Sequence, residues 1–392
     1  MSDKKNISVI RNCYGCGVCA ASCAKKIISI ELNRDGFYEP RITDESQCTH
    51  CGICTDVCAF SHTELANNEA APVKSWAAWS NDEDVRHKCS SGGIGYEIGK
   101  QLITQGYHAV GCRYYIKEQR AEHYIATTIE DFTASIGSKY IQSYTADAFS
   151  QIKKKGQKYL VTGTPCQIDS FRRMIRKFKC EENFILLDFF CHCVPSMHAW
   201  KAYIKMLEPK IGDVTYASWR NKPTGWQDSW SMQLEGSKGS VTSWRSKGDL
   251  FYRLFLGDIA LGPQCEKECK YKYDQSSADI RIGDLWGNTY KDDQKGVSAL
   301  IAFTEKGREI IEALKDVTLV EYSFEVVAEG QMKENARKAI DYDWVMKELK
   351  SPDADLHRID VLLDKAQARR IQMDRIKHPL RTIKNIAKRF KK

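Results

Sequence analysis

Two copies of one cysteine run occupy the first sixty residues, Cys13-x2-Cys16-x2-Cys19-x3-Cys23 and Cys48-x2-Cys51-x2-Cys54-x3-Cys58. This spacing wraps cubane iron-sulfur clusters. Three thiolates on one short loop reach three irons of one 4Fe-4S cube, while the fourth, one helical turn on, faces the neighbouring cube. The expected ligand sets are therefore crossed: Cys13, Cys16, Cys19 and Cys58 on one cluster, and Cys48, Cys51, Cys54 and Cys23 on the other. Electron transfer is the first functional expectation.

Zinc and disulfides fit the pattern poorly. Structural zinc sites pair two ligand knuckles across a longer gap and do not use a third and fourth cysteine at these intervals. Disulfides need an oxidising compartment, whereas the chain opens MSDKKNISVI, with no apolar run or cleavage site. A cytoplasmic protein with metal-bound thiols is expected. Ala24 and Ala59 stand where a proline often follows the fourth cysteine, which removes no ligand.

At 392 residues the chain is too long for a ferredoxin alone. Its 18 Tyr, 14 Phe and 9 Trp supply a real core, and no stretch near 20 apolar residues spans a bilayer. The net charge of +8 hides an asymmetry: residues 365–392 hold eleven Lys or Arg against Asp374 alone, so the tail carries +10 and the rest −2. A nucleic-acid partner is not expected, since its basic residues would spread over a folded face.

Residues 1–68 read as the dicluster unit, with Ala70-Ala71-Pro72 as the exit linker. Three short β-rich apolar runs follow in a second domain: Lys158–Thr162, Phe184–Phe190 and Ala278–Ile282. Between the first two, Ile168, Phe171, Met174, Ile175 and Phe178 recur at helical spacing over Gln167–Lys179, which predicts a βαβ crossover with a site beyond the strands' carboxyl ends. Those ends run into Gly163-Thr164-Pro165-Cys166, Cys191-His192-Cys193-Val194-Pro195 and Gly283-Asp284-Leu285-Trp286-Gly287. With Cys265-x3-Cys269 just upstream of the third strand, Cys166, Cys191, Cys265 and Cys269 make a third 4Fe-4S site assembled from distant segments. Cys193, two residues on, is an alternative ligand to Cys191. Cys112 and Cys180 read as packing residues.

The ordered motifs Ser90-Ser91-Gly92-Gly93, Ser138-Lys139-Tyr140-Ile141-Gln142-Ser143, Gly163-Thr164-Pro165-Cys166-Gln167, Cys191-His192-x-Val194-Pro195-Ser196, Arg220-Asn221-Lys222-x2-Gly225-Trp226 and Cys269…Ala278-Asp279-Ile280…Gly283-Asp284-x-Trp286-Gly287 carry a family resemblance. Over residues 73–330 the chain resembles the family of coenzyme F-420 hydrogenase and dehydrogenase beta subunits. Members with the same dicluster arm include chlorophyll-pathway reductases and bacterial proteins of polysaccharide loci, the last closest in layout. The resemblance implies FAD beside a 4Fe-4S cluster held at the positions of Cys166, Cys191, Cys265 and Cys269. Two departures stand out: the last pair is spaced by three residues rather than two, and Cys193 replaces a glycine. Cys89 stands where a serine is usual and is not counted as a ligand.

Within this frame, Ser91, Gly92 and Gly93 precede an apolar helical segment, Ile94–Leu102, whose amides approach a pyrophosphate. Lys139, Gln142, Gly163, Thr164 and Asp284 complete the expected cofactor-binding set. His192, Lys139 and Tyr140 are the expected catalytic residues: His192 as proton donor, Lys139 as charge beside a reduced flavin, Tyr140 for stacking or proton donation. Trp219–Trp244 reads as a β-hairpin or meander, and Trp286 as a packing residue. From Pro379, Leu380, Ile383, Ile386 or Ala387, and Phe390 share one face of a basic helix suited to an anionic membrane surface.

The fold expected is α+β: a small dicluster ferredoxin-like domain (1–68), a mixed α/β flavin-binding domain (73–330) and a helical extension with a basic tail (331–392). The function expected is an iron-sulfur flavoprotein oxidoreductase, cytoplasmic or peripheral at the inner membrane face. It passes electrons from ferredoxin or a reduced deazaflavin coenzyme through the clusters to FAD and a substrate, with surface polysaccharide biosynthesis as one setting. The alternative is an electron-transfer beta subunit with no substrate of its own. A homo-oligomer is compatible with either.

Overall fold

The computed structural model describes residues 6–67, 71–153 and 155–377. The basic tail from Pro379, with its expected membrane-facing helix, lies outside these residues. Among the described residues, no helix is long and apolar enough to cross a membrane.

Each cysteine run forms a loop that turns into a short helix, Val18–Ser22 in the first and Ile53–Asp56 in the second. Both helices start from a left-handed glycine, Gly17 at φ 71° and Gly52 at φ 77°, a backbone state that only glycine adopts without a Cβ penalty. Strands β1 (Ile28–Leu32) and β2 (Tyr38–Ile42) pair antiparallel between the runs. Both alternate buried and exposed positions, so one face packs on the cysteine loops and the other meets water.

The remainder is built on a nine-stranded mixed sheet. Its strands are β3 (Lys74–Ser80), β4 (His108–Tyr115), β5 (Arg120–Ala126), β6 (Ser143–Tyr144), β7 (Tyr159–Thr162), β8 (Phe184–Phe189), β12 (Ile280–Asp284), β13 (Ser298–Ala302) and β14 (Val317–Glu321), in the order β14-β3-β13-β12-β8-β7-β4-β5-β6. The neighbours β4, β7, β8 and β12 run parallel, while β12-β13-β3-β14 and β4-β5 are antiparallel. Strand β8 is apolar along nearly its whole length because both of its faces are covered. The Pro165–Lys177 helix provides the crossover from β7 to β8. It begins two residues before the position its apolar spacing predicts, because Pro165 fits the first helical turn, where no amide donor is required.

A separate three-stranded meander, β9 (Val214–Ser218), β10 (Ser231–Gly236) and β11 (Gly239–Trp244), packs beneath the Met197–Ile211 helix. The tryptophan-rich segment is thus half strand and half loop, with Trp219–Trp230 joining β9 to β10. The Tyr342–Leu349 helix and the start of the Leu356–Lys377 helix close the same core through Val345, Met346, Leu349, Leu356, Ile359 and Leu363.

The cysteine arm is docked on this body. The β1–β2 turn is set by Asn33, whose side chain accepts the amides of Asp35 (3.0 Å) and Phe37 (3.1 Å). Its tip meets the Met197–Ile211 helix, where Ser196 Oγ donates to Asp35 O (2.6 Å) and the Met197 amide to Gly36 O (2.9 Å). Lys350 pairs with Asp35 at 2.6 Å on the far side.

Candidate metal centre

Cys13, Cys16, Cys19 and Cys58 line one cavity in the arm, with Tyr14 and Phe60 at its wall. All four are buried. Burial pushes the Cys16 thiol up to about 11, with Cys58 adding to the rise, and drives Cys13 and Cys19 higher still. Thiols that oppose one another's ionisation suit a multi-iron cation that neutralises them together. The other four cysteines sit nearer the surface: Cys54 is buried beside Cys51 and Cys23, Cys23 and Cys48 are half-buried, and Cys51 is exposed. The Asn6 amide reaches Cys48 Sγ at 3.5 Å.

A second gathering of thiols lies where the strand ends predict. Cys166 is the second residue of the Pro165–Lys177 helix, with Thr164 Oγ1 at 3.2 Å from its sulfur. Cys191 and Cys193 follow β8, and Cys265 and Cys269 bracket the end of the short Pro263–Lys267 helix. Burial raises Cys191 to about 12 and Cys166 well above its ordinary value, with Cys265 contributing to both. Cys193 lies against Cys265: the sulfur-sulfur hydrogen bond lifts Cys193 and lowers Cys265. Five thiols therefore converge, one more than a cubane takes.

Two neighbours bear on whether these thiols could hold a metal. Tyr271, 4% exposed, has a buried hydroxyl without a hydrogen-bond partner beside Cys166 and Cys16. A buried donor left alone is costly, and cluster sulfur would satisfy it. Lys272, 9% exposed, donates to Cys191 O (2.8 Å) and His192 O (2.6 Å). The loop carrying these residues is pinned from below by Arg281, whose guanidinium grips the carboxylate of Asp188 and donates to the carbonyls of Tyr273 and Gln275.

The two interior thiol sets are adjacent. Ser170, one helical turn beyond Cys166, accepts from Cys16 Sγ at 3.2 Å and from the Ala59 amide at 3.0 Å. Tyr14 lines the first cavity and also packs with Tyr271, Phe60, Cys166 and Cys269; its ring centroid lies 5.8 Å from that of Tyr271. Its hydroxyl donates to the Glu268 carbonyl. Lys270 ties the arm down through the carbonyls of Ala59, His62 and Glu64.

Gln142, expected at a cofactor, instead clamps the first cysteine loop. Its carbonyl accepts the Tyr38 amide (2.9 Å) and its amide donates to Tyr14 O (3.1 Å), while Thr145 Oγ1 donates to Cys16 O (2.7 Å). Gly15, at φ 66°, needs to be glycine for the same reason, since a Cβ would lie 2.4 Å from the Gln142 amide nitrogen.

Of the other residues expected at FAD, Tyr140 and Asp284 meet at Arg220 beside residues 90–93, Gly163 and Thr164 lie at the end of β7 beside Cys166, and their polar atoms are engaged inside the protein. Arg220, fully buried, grips Asp284 with two nitrogens (2.9 and 3.1 Å) and donates to Tyr140 Oη (3.0 Å) and Ser90 O (3.3 Å). Tyr140 stacks on Trp230, and Trp286 on Trp226, whose indole donates to Asp284. Ser91 Oγ donates to Val297 O, and the Gly92 amide to Ser298 Oγ. Gly92 is required by packing, because a Cβ there would meet Ala78 O at 2.4 Å. Gly93, at φ 88°, caps the Ile94–Thr104 helix. The Thr164 amide donates to Gln167 Oε1, and the Gly163 amide to Leu187 O. Lys139, lowered to about 8 by burial, and Lys222, lowered likewise, each donate to three backbone carbonyls. His192 is paired with Asp258 at 2.8 Å and touches Met332 Sδ, and the Phe255 ring lies between it and Tyr140, 5.2 Å from each.

The family model for the carboxyl-terminal part of the coenzyme F420 hydrogenase/dehydrogenase beta subunit matches residues 156–325, which hold Cys166, Cys191, Cys265 and Cys269. That segment belongs to this family. A 4Fe-4S dicluster domain matches residues 12–61, so the mixed α/β body carries a ferredoxin-like iron-sulfur arm. The F subunit of the F(420)H(2) dehydrogenase of Methanosarcina mazei is 23% identical over 316 residues, which span 78% of this chain and 82% of the relative. A chain of the solved F-420-reducing NiFe hydrogenase complex of Methanosarcina barkeri aligns with 72% of this chain and 88% of its own length, at 18% identity and a TM-score of 0.42.

Proposed function

We propose that this chain is an electron-transfer subunit of an F-420 hydrogenase- or dehydrogenase-type assembly. Bound 4Fe-4S clusters would each take and release one electron; the chain's residues hold three such centres in file. Cys23, Cys48, Cys51 and Cys54 present the outer one to a one-electron donor such as ferredoxin. Cys13, Cys16, Cys19 and Cys58 hold the next, and Cys166, Cys191, Cys265 and Cys269 the innermost. The observation that carries this reading is the Ser170 contact, which ties Cys16 to the helix that bears Cys166. Because the arm is fastened by Gln142, Thr145, Lys270 and the β1–β2 tip, the centres keep fixed separations instead of diffusing together.

Anaerobic reductive titration tests this. The wild type takes up about three electrons into iron-sulfur centres, and Cys166→Ser about two. Unchanged iron in Cys166→Ser would remove that residue from the ligand set and overturn the reading.

A second reading, an FAD-dependent reductase of the polysaccharide-locus type, is favoured by one observation. Lys222, buried, and Lys139, half-buried, each hold an ammonium on three carbonyls, which suits an anionic cofactor nearby. Flavin counted in the same preparation tests it, with one FAD per chain expected and none excluding it. The basic tail is proposed to rest on an anionic membrane; co-sedimentation with anionic vesicles should be lost on truncation at residue 377.

A further inference from the structure

Lys272 is a buried cation whose surroundings are all of one kind. Its ammonium donates to the carbonyls of Cys191 and His192, and among the described residues no carboxylate pairs with it. The charged or chargeable groups around it are Cys191, Cys193, Cys265 and Cys269. Burying an ammonium without a counter-charge is strongly unfavourable, so a positive charge is stable here only beside a compensating negative group. The nearby cation Arg281 is already neutralised by Asp188 at 2.7 Å, and Lys270 on the same loop turns to the carbonyls of Ala59, His62 and Glu64 with Asp169 and Glu64 nearby, which leaves Lys272 as the cation set among these thiols. The cavity of Cys13, Cys16, Cys19 and Cys58 carries an acidic residue on its Cys13 side, with Lys270 at the Ala59 carbonyl beside Cys58. There Glu39 accepts the Asn12 amide at 2.6 Å, at the entry to Cys13, and Ser170 is the side-chain partner of Cys16.

We propose that Lys272 is the residue that sets the direction of electron flow, holding the centre of Cys166, Cys191, Cys265 and Cys269 at a higher potential than the centre beside Glu39. The fixed ammonium stabilises the extra negative charge that arrives when one electron leaves the first centre and enters the third. No bond forms or breaks, and no proton is required. This inference rests on the three-centre reading above.

The test is potentiometric titration of the full chain, read by electron paramagnetic resonance, with iron and sulfide counted in parallel. Lys272→Gln keeps donors for both carbonyls and removes the charge; Lys272→Arg keeps the charge. The expected result is that Lys272→Gln shifts the third centre's one-electron equilibrium at least ten-fold toward oxidised, about 59 mV for a one-electron couple, while the arm's centres and Lys272→Arg stay at wild-type values. Loss of third-centre iron in Lys272→Gln alone, with Lys272→Arg fully loaded, also supports the proposal. Equal midpoints in wild type and Lys272→Gln at full iron content would overturn it, as would loss of that iron in both variants. A wild type holding only the arm's iron would instead sink the three-centre reading itself.

Discussion

Replacing Arg281 with methionine should release the Cys269 loop before it disturbs the rest of the sheet. Arg281 and Asp188 are both fully buried, and two of their contacts measure 2.7 Å. The same guanidinium donates to Tyr273 O at 2.8 Å and Gln275 O at 2.9 Å, while Asp188 also accepts from Ser276 Oγ at 2.7 Å. Methionine fills much of the volume but strands the carboxylate on β8 and frees the carbonyls. Breaking one side of a buried pair costs about 3–5 kcal/mol, a large fraction of the stability of a typical domain, about 5–15 kcal/mol. The double variant Asp188→Asn, Arg281→Met removes the stranded charge and should recover about 1–3 kcal/mol as coupling energy. Urea unfolding gives the stabilities, and iron per chain reports the thiol site. The reasoning fails if Arg281→Met loses less than about 1 kcal/mol and keeps all its iron.

Gln142→Leu removes the donor and acceptor that hold Tyr14 and Tyr38, leaving two buried backbone groups unpaired at about 1–3 kcal/mol each; iron release to a chelator should quicken at the arm, and an unchanged rate would contradict the clamp. His123 is buried and lowered from 6.5 to about 4 by loss of hydration, with its Nε2 on Thr162 O. Its folded pKa lies below the unfolded one, so its stabilisation is complete above pH 6.5 and drains away as pH falls toward 4, in all about 3 kcal/mol. His123→Phe should therefore lose less stability than the wild type across that window, and parallel curves would refute the assignment.

What can be seen in the sequence follows from which interactions are local. The cysteine runs carry their loop geometry in their spacing, and β7, β8 and the start of β12 show as apolar runs because they are covered on both faces. The Pro165–Lys177 helix shows by its periodicity, with Ile168, Phe171, Met174 and Ile175 all buried. The antiparallel half of the sheet, β13-β3-β14, has no local signature, since its pairing joins segments more than 200 residues apart. The same distance hides the partners of polar side chains. Nothing local to Gln142 says that its amide reaches Tyr14, and nothing local to Ser170 says that it faces Cys16. The expectation for Asp284 has the residue in the right place and misses its partner, because Arg220 arrives from the β9–β10 loop. Lys272 has a faint local signal, following Tyr271 just after Cys269. Its meaning appears only when β8 brings the carbonyl of Cys191 to its ammonium.

Iron and acid-labile sulfide per chain, counted on anaerobically prepared protein, test the central claim most directly. Three centres held by twelve cysteines predict about twelve iron and twelve sulfide per chain, falling to about eight in Cys166→Ser. About eight in the wild type would confine the clusters to the arm and contradict the account.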